Sequence, residues 1–228
     1  MKMKGFLDTT GLQACKSLED NFNLILEEYN SFSFNIDKVD DIGDDTNWEL
    51  WQRVQKATYR ISNTEYEKGF SEYTTPYETY QEGHGWYGLK SREGKSVWDG
   101  VLLATKANAD NLVSSRLNPT PVCDDFFSKT INCLQGFPEV MNVMLARLPS
   151  GGSLPKHRGF KALIRVHFGL VVPDGDIKFW VDGDEKKWEP GKCLAFNDGS
   201  EHTASNKTDM DRIILIMDLW GESINEHK

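Results

Sequence analysis

Five histidines are spread along the chain, and three of them, His157, His167 and His202, stand in its strand-rich C-terminal half. A neutral imidazole is a good ligand for iron, zinc, copper or nickel, and no CxxC or clustered thiolates compete for such a metal here. His157 follows PSGGSLPK and opens the turn HRG, while His202 sits in NDGSEHTAS, just after KCLAFND. One histidine at a strand end is usually an ordinary surface or core residue. Two at the mouths of different strands of one barrel make a shared metal the sharper reading. His167 lies within IRVHFGLVV, and side chains repeat every two residues along a strand, so Arg165 and His167 share a face. An apolar strand with Arg and His on one face must satisfy both with partners. Arg212 opens RIILIMDLW. It reads either as half of a salt bridge across the sheet or as a planar two-bond clamp on a carboxylate.

The elements that position these residues are strands. From about residue 139 onward, VMNVMLARL, ALIRVHFGLVVP, IKFWVDG, KCLAFND and RIILIMDLW are rich in β-branched and aromatic residues. Turn-forming stretches separate them: PSGGSLP, PDGD, DGDEKKWEPG and NDGSEHTASNKTDMD. Short strands at this spacing suggest a sandwich or barrel. Upstream, Leu12, Cys15, Leu18, Phe22, Ile25 and Leu26 recur at helical spacing, so residues 11–30 read as a helix. Residues 107–121 end in the loop signal NPTP, and 123–135 read as another helix. Tryptophans and tyrosines crowd residues 48–102, where Gly83, Gly85 and Gly88 interrupt any long helix; residues 76–98 are the expected substrate-facing wall. Five aspartates in 36–46 fit no EF-hand spacing and read as a solvated loop. Neither GxGxxG nor a P-loop occurs, which sets aside the nucleotide-binding α/β folds.

Composition narrows the partners. The chain of 228 residues carries 26 basic and 35 acidic groups, a formal net charge of −9. That excludes a broad grip on nucleic acid, whose affinity rests on Lys and Arg, and equally an anionic membrane surface. No apolar run reaches the roughly 18 residues that a spanning helix needs, and the N-terminus has no apolar core of a secretory signal. Cys15, Cys123, Cys133 and Cys193 are too few and scattered for a secreted framework, so they read as free thiols in a reducing cytoplasm; Cys123 and Cys133 could pair in principle.

The ordered set His157-x-Gly159, seven residues, His167, thirty-four residues, His202, nine residues, Arg212 resembles the aspartyl/asparaginyl β-hydroxylases. The likeness runs through LPSGGSLPKHRG, IRVHFGLVVP, WEPGKCLAFNDGSEHTASN and DRIILIMDLW, over roughly residues 136–221, with weaker echoes in FPEV and GWYGLKS. The resemblance implies a mainly β chain with flanking helices and a double-stranded β-helix core, a cupin-like jelly roll. It implies one domain over 1–228, with a mixed 1–135 part packed on a 136–221 core that carries the metal. It implies iron(II) and 2-oxoglutarate, with His157 and His202 as iron ligands. Arg212 would hold the far carboxylate of 2-oxoglutarate, and His167 would sit beside its metal-proximal carboxylate. Arg165 would help to hold an anionic group of the prime substrate.

Gly159 stands where most such oxygenases supply a third, carboxylate ligand, so water or another outside ligand would fill that position. Halide there would make an iron halogenase, which stays open, as does a β-barrel binding module without redox activity. Asp at 159 is expected to restore a facial triad. Ala146 falls near the place of a serine that helps hold 2-oxoglutarate, with Ser150 and Ser153 offset, so that role is carried to none of them. By resemblance the partners are 2-oxoglutarate, oxygen and an unidentified small-molecule or peptide substrate whose unactivated C–H bond is hydroxylated. His84, in the turn EGHGW, and His227, beside the last residue, are expected not to be ligands.

Overall fold

The computed structural model describes residues 5–35, 77–81, 87–91, 96–107, 113–159 and 163–220. Its core is built from eight strands: β6 (Val140–Leu148), β7 (Ser153–His157), β8 (Leu163–Val171), β9 (Ile177–Val181), β10 (Asp184–Lys186), β11 (Cys193–Asn197), β12 (His202–Asn206) and β13 (Arg212–Trp220). They form two facing antiparallel sheets. One contains the run β11-β8-β13-β6, the other is β10-β9-β12-β7. The chain crosses between the sheets at almost every step, which is the winding of a double-stranded β-helix, and it confirms the jelly-roll expectation. The larger sheet is extended at one end by β1 (Phe6–Leu7). At the other it continues through β4 (Ser96–Ala107), β3 (Tyr87–Ser91) and β2 (Tyr77–Gln81), while β5 (Val113–Pro119) also pairs with β4.

The sequence dictates which strands lie in the middle. Strands β6 and β13 are apolar on both faces because both are covered. Val143, Leu145, Ile213, Leu215 and Met217 face one core, and Met144, Ala146, Leu148, Ile214 and Ile216 face a second core inside the barrel. Each Val, Leu, Ile or Met among them contributes about 1.5–3 kcal/mol on burial. Strand β9 has one wet face and alternates accordingly: Ile177, Phe179 and Val181 are buried, and Lys178 is exposed. It turns into β10 through Asp182 and Gly183, both at positive φ, the backbone a two-residue hairpin loop requires.

The outer core is closed by two helices rather than the single one expected over 11–30. Helix α1 (Gln13–Asp20) buries Ala14, Cys15 and Leu18, and α2 (Phe22–Asn35) buries Ile25 and Phe32. The break falls at Asn21, which leaves helical geometry (φ −107°, ψ 18°) while its side-chain amide donates to the Ser17 carbonyl. The turn aims Phe22 edge-on at Phe168 of β8, 6.1 Å between ring centres. The helix expected over 123–135 is likewise two pieces, α3 (Pro121–Phe126) and α4 (Ser128–Asn132). Thr120 caps α3 by accepting from the Cys123 amide. The 107–121 segment, which ends in the loop signal NPTP, contains β5, whose Pro119 is tolerated because it closes an outer strand. All four cysteines are free, so Cys123 and Cys133 are not paired.

Candidate metal centre

Both candidate ligands sit in the smaller sheet, at the adjoining ends of β7 and β12. His157 closes β7, His202 opens β12, and the two are directly opposed across the ladder. Their ring centres lie 4.1 Å apart. Each ring is held by its own chain: His157 Nδ1 contacts the Pro155 carbonyl at 2.8 Å, and His202 Nδ1 contacts the Ser200 carbonyl at 2.8 Å. A carbonyl can only accept, so in each neutral ring Nδ1 carries the proton and Nε2 carries the lone pair. Such a backbone partner is the usual second contact of a metal-binding histidine. Burial pushes both imidazoles below their usual pKa, and for His202 the neighbouring His157 adds to the shift. Both rings are therefore neutral at pH 7, the state a metal needs.

His167 is in the opposite tautomer. It projects from β8 into the barrel, and Trp188 Nε1 donates to its Nδ1 at 3.3 Å. An indole can only donate, so the His167 proton sits on Nε2. Burial, reinforced by Arg212 and Arg165, keeps this ring well below the ordinary histidine pKa. Two rings thus offer lone pairs and the third offers an N–H.

Arg212 begins β13 opposite Leu148 and is only 2% exposed. Among the described residues it has no carboxylate partner, and its Nε is buried without a hydrogen-bond acceptor. Its charge lies against the face of Trp188, 4.5 Å from Cζ to the ring centre. The cross-sheet salt bridge that the sequence left open is not made there. Desolvation alone pushes its pKa down to about 9, which leaves it charged at neutral pH.

Arg165 shares the inward face with His167, as the strand period requires. Its Nε and Nη2 donate to the two oxygens of Asp218 at 2.8 and 3.2 Å, and its Nη1 lies 2.7 Å from Asp198 Oδ1. The Asp198 contact is an ion pair rather than a well-aligned hydrogen bond, since no hydrogen bond reaches that oxygen. The expected role of Arg165 toward an anionic substrate therefore meets a guanidinium committed to two carboxylates. Asp218, Arg165 and Asp198 were all beyond sequence reasoning as a unit. Direct register explains the first pair, because Asp218 faces Arg165 across β13 and β8.

Asp198 also explains Gly159. The Gly159 amide donates to the Asp198 carbonyl at 2.7 Å, and a Cβ at 159 would fall on the Asp198 carboxylate. The same carboxylate has Oδ1 3.9 Å from His202 Nε2. The space where a third ligand would project from position 159 thus holds a carboxylate from the turn after β11. Among the described residues no group of three His, Cys, Asp or Glu forms a ready metal cage. A side chain at 159 fits only if the Asp198 carboxylate moves, so Asp at 159 restores a triad only with that shift. Gly159→Ala is expected to displace Asp198 and weaken metal retention about tenfold or more, as loss of an outer contact does. Wild-type metal affinity in that variant would show that Asp198 is not needed in place.

Ser150 is exposed and donates to the Thr208 carbonyl, and Ser153 is exposed, so neither fills the serine role left unassigned. His84, His227 and residues 82–86 and 92–95 of the 76–98 wall lie outside the described residues, as does the acidic 36–46 stretch. Trp188, in WEPG, is a site residue that the histidine pattern does not mark; the signal for it is that a buried indole N–H must find an acceptor.

A jelly roll with a histidine pair at one mouth and an arginine buried inside defines a cupin-like protein with a candidate metal site. The chain belongs to the Aspartyl/Asparaginyl beta-hydroxylase family, whose model matches residues 19–222. It is 36% identical over 88 residues to the ornithine lipid ester-linked acyl 2-hydroxylase of Rhizobium tropici, covering 37% of this chain and 31% of that protein. It is 32% identical over 98 residues to the human aspartyl/asparaginyl beta-hydroxylase, covering 40% of this chain and 13% of that one. The matched region thus spans under a third of either relative. A cupin domain from Bordetella pertussis aligns with TM-score 0.30 and 20% identity over 36% of this chain and 82% of that chain, a likeness too shallow to add to the topology traced above.

Proposed function

We infer that the chain is an iron(II)- and 2-oxoglutarate-dependent oxygenase that hydroxylates an unactivated C–H bond of an amino-acid residue, a peptide or a small acid. The observation that carries this reading is the buried guanidinium of Arg212, without a carboxylate partner among the described residues, inside a barrel whose mouth holds two metal-ready histidines. A buried cation costs several kcal/mol unless an anion joins it. A planar fork suits a carboxylate, and a dicarboxylate could reach both Arg212 and a metal.

The residues fit the implied groups. His157 and His202 would hold iron through Nε2, and His167 would donate its Nε2–H to the metal-proximal carboxylate of 2-oxoglutarate. Arg212 would bind the far carboxylate. Iron with 2-oxoglutarate and oxygen supplies the C–H oxidation, with succinate and carbon dioxide as co-products. The charges balance: Arg212 and Arg165 contribute two positive charges, Asp198 and Asp218 two negative, and a divalent metal offsets a dianion. Phe179, Phe196 and Trp188 pack around His167 and exclude water from the barrel. Asp198 puts like charge beside the place a halide would take, which weighs against halogenation. The names of the relatives allow amino-acid and acyl substrates alike.

Docking of α1 and α2 on the sheet supports a single unit over 1–228. Four free thiols support a reducing, cytoplasmic setting, and among the described residues no helix is long and apolar enough to cross a membrane.

Anaerobic addition of 2-oxoglutarate to the iron(II)-loaded protein is expected to give a weak visible charge-transfer band, and oxygen should then yield succinate. A folded, iron-loaded protein with neither response would leave a binding module as the better reading.

A further inference from the structure

Trp188 joins the two anion-facing groups of the barrel. It is 3% exposed, in the segment between β10 and β11, and its ring stacks on Phe179 at 5.0 Å with 19° between planes. Its N–H is spent on His167 Nδ1, and its face lies against the Arg212 guanidinium. A neutral imidazole can carry its proton on either nitrogen and can turn over about χ2. Only one combination points an N–H away from Trp188 into the barrel, and the indole donor selects it. The ring face restrains the guanidinium, whose Nε has no acceptor of its own.

We propose that Trp188 is the positioning residue of the dicarboxylate site: its indole N–H fixes His167 as an Nε2–H donor, and its ring holds Arg212 in place. This rests on the 2-oxoglutarate reading above. One side chain thereby sets the geometry at both ends of the co-substrate. It also takes over orientation that neither Ser150 nor Ser153 supplies.

Trp188→Phe removes the N–H and keeps an aromatic face. Replacement of Trp188 by benzothienylalanine keeps the bicyclic shape and removes only the N–H, so it answers for a phenylalanine variant that fails to fold. Trp188→Leu removes both functions. The first readout is two-bond 1H–15N correlation of the histidine rings in metal-free protein, which needs no bound ligand. Wild type should show His167 protonated at Nε2, with His157 and His202 protonated at Nδ1. In the benzothienyl variant the two His167 nitrogen shifts should move toward each other, while those of His157 and His202 stay. The second readout is 2-oxoglutarate titration of manganese(II)-loaded protein under nitrogen. Loss of one oriented charge-assisted bond should weaken binding about tenfold in the benzothienyl and phenylalanine variants, and further in Trp188→Leu.

Unchanged His167 shifts, or a wild-type His167 protonated at Nδ1, overturn the proposal. So does a benzothienyl variant that binds 2-oxoglutarate as wild type does, because the N–H would then be irrelevant to the ligand. A wild-type protein that binds no 2-oxoglutarate defeats the functional reading and this proposal together. That pattern differs from wild-type binding with insensitive variants, which defeats the proposal alone.

Discussion

Arg212→Met is expected to raise the melting temperature of the ligand-free protein while abolishing its measurable affinity for 2-oxoglutarate. The two effects have one cause. Arg212 is 2% exposed, lacks a carboxylate partner among the described residues, and leaves Nε without an acceptor. Burying an ion costs several kcal/mol, and stacking on Trp188 returns about 2 kcal/mol when desolvated. Methionine fills much of the same volume without the charge. Apolar replacement of buried ions stabilises by about 1–4 kcal/mol. For a chain of this size each kcal/mol is worth about 2–4 °C. The sign with pH follows from the depressed pKa of about 9. The penalty is complete while Arg212 is charged in the fold, so the gap between variant and wild type should be flat from about pH 6 to 8. It should narrow only as pH rises past about 9. On the binding side, two charge-assisted hydrogen bonds at about 1.5–3 kcal/mol each imply a loss of at least a hundredfold. Arg212→Lys keeps the charge without the fork, so binding should fall about tenfold to a hundredfold with no gain in stability. Differential scanning calorimetry and ligand titration decide it. A lower melting temperature with intact binding would make Arg212 a structural residue.

Much of the jelly roll was legible because its long strands are apolar. RIILIMDLW and VMNVMLARL must be covered on both faces, and IKFWV alternates because one face is wet. The smaller sheet was not legible in the same way. SLPKH contains a proline and no buried residue, and HTASN offers Ala204 as its one buried apolar side chain, so both read as loop. These are the strands that bring His157 and His202 together. The ordered histidine pattern singled out two residues that the fold brings together, but their pairing is a property of register between polar strands. Asp198 beside Gly159 is a contact between a loop and a strand end remote in sequence, with no local periodicity to announce it. The commitment of Arg165 to Asp218 has the same origin: the residues are far apart in the chain and directly opposed in the sheet.

Alanine at His157 or at His202 should each cost metal affinity on the order of a hundredfold or more, since removing only an outer partner of a ligand already costs about 10–100-fold. With the two protein ligands proposed above, either loss would leave one nitrogen on the metal. The consequences for the fold should differ. His202 is 4% exposed and packs against Phe196 at 4.9 Å, so its removal opens a cavity in the barrel and leaves the Ser200 carbonyl without its ring donor. His157 is half-buried at the strand end, so His157→Ala should melt closer to wild type. His167→Gln is the control: its ring already donates rather than accepts on the inward side, so metal affinity should stay near wild type while 2-oxoglutarate weakens. Calorimetric titration with manganese(II), metal analysis after dialysis and a melting curve for each variant provide the comparison. Near-normal metal content in both alanine variants would remove these histidines from the centre. Loss of metal in His167→Gln alone would mean that the tautomers, and with them the ligand pair, had been assigned the wrong way round.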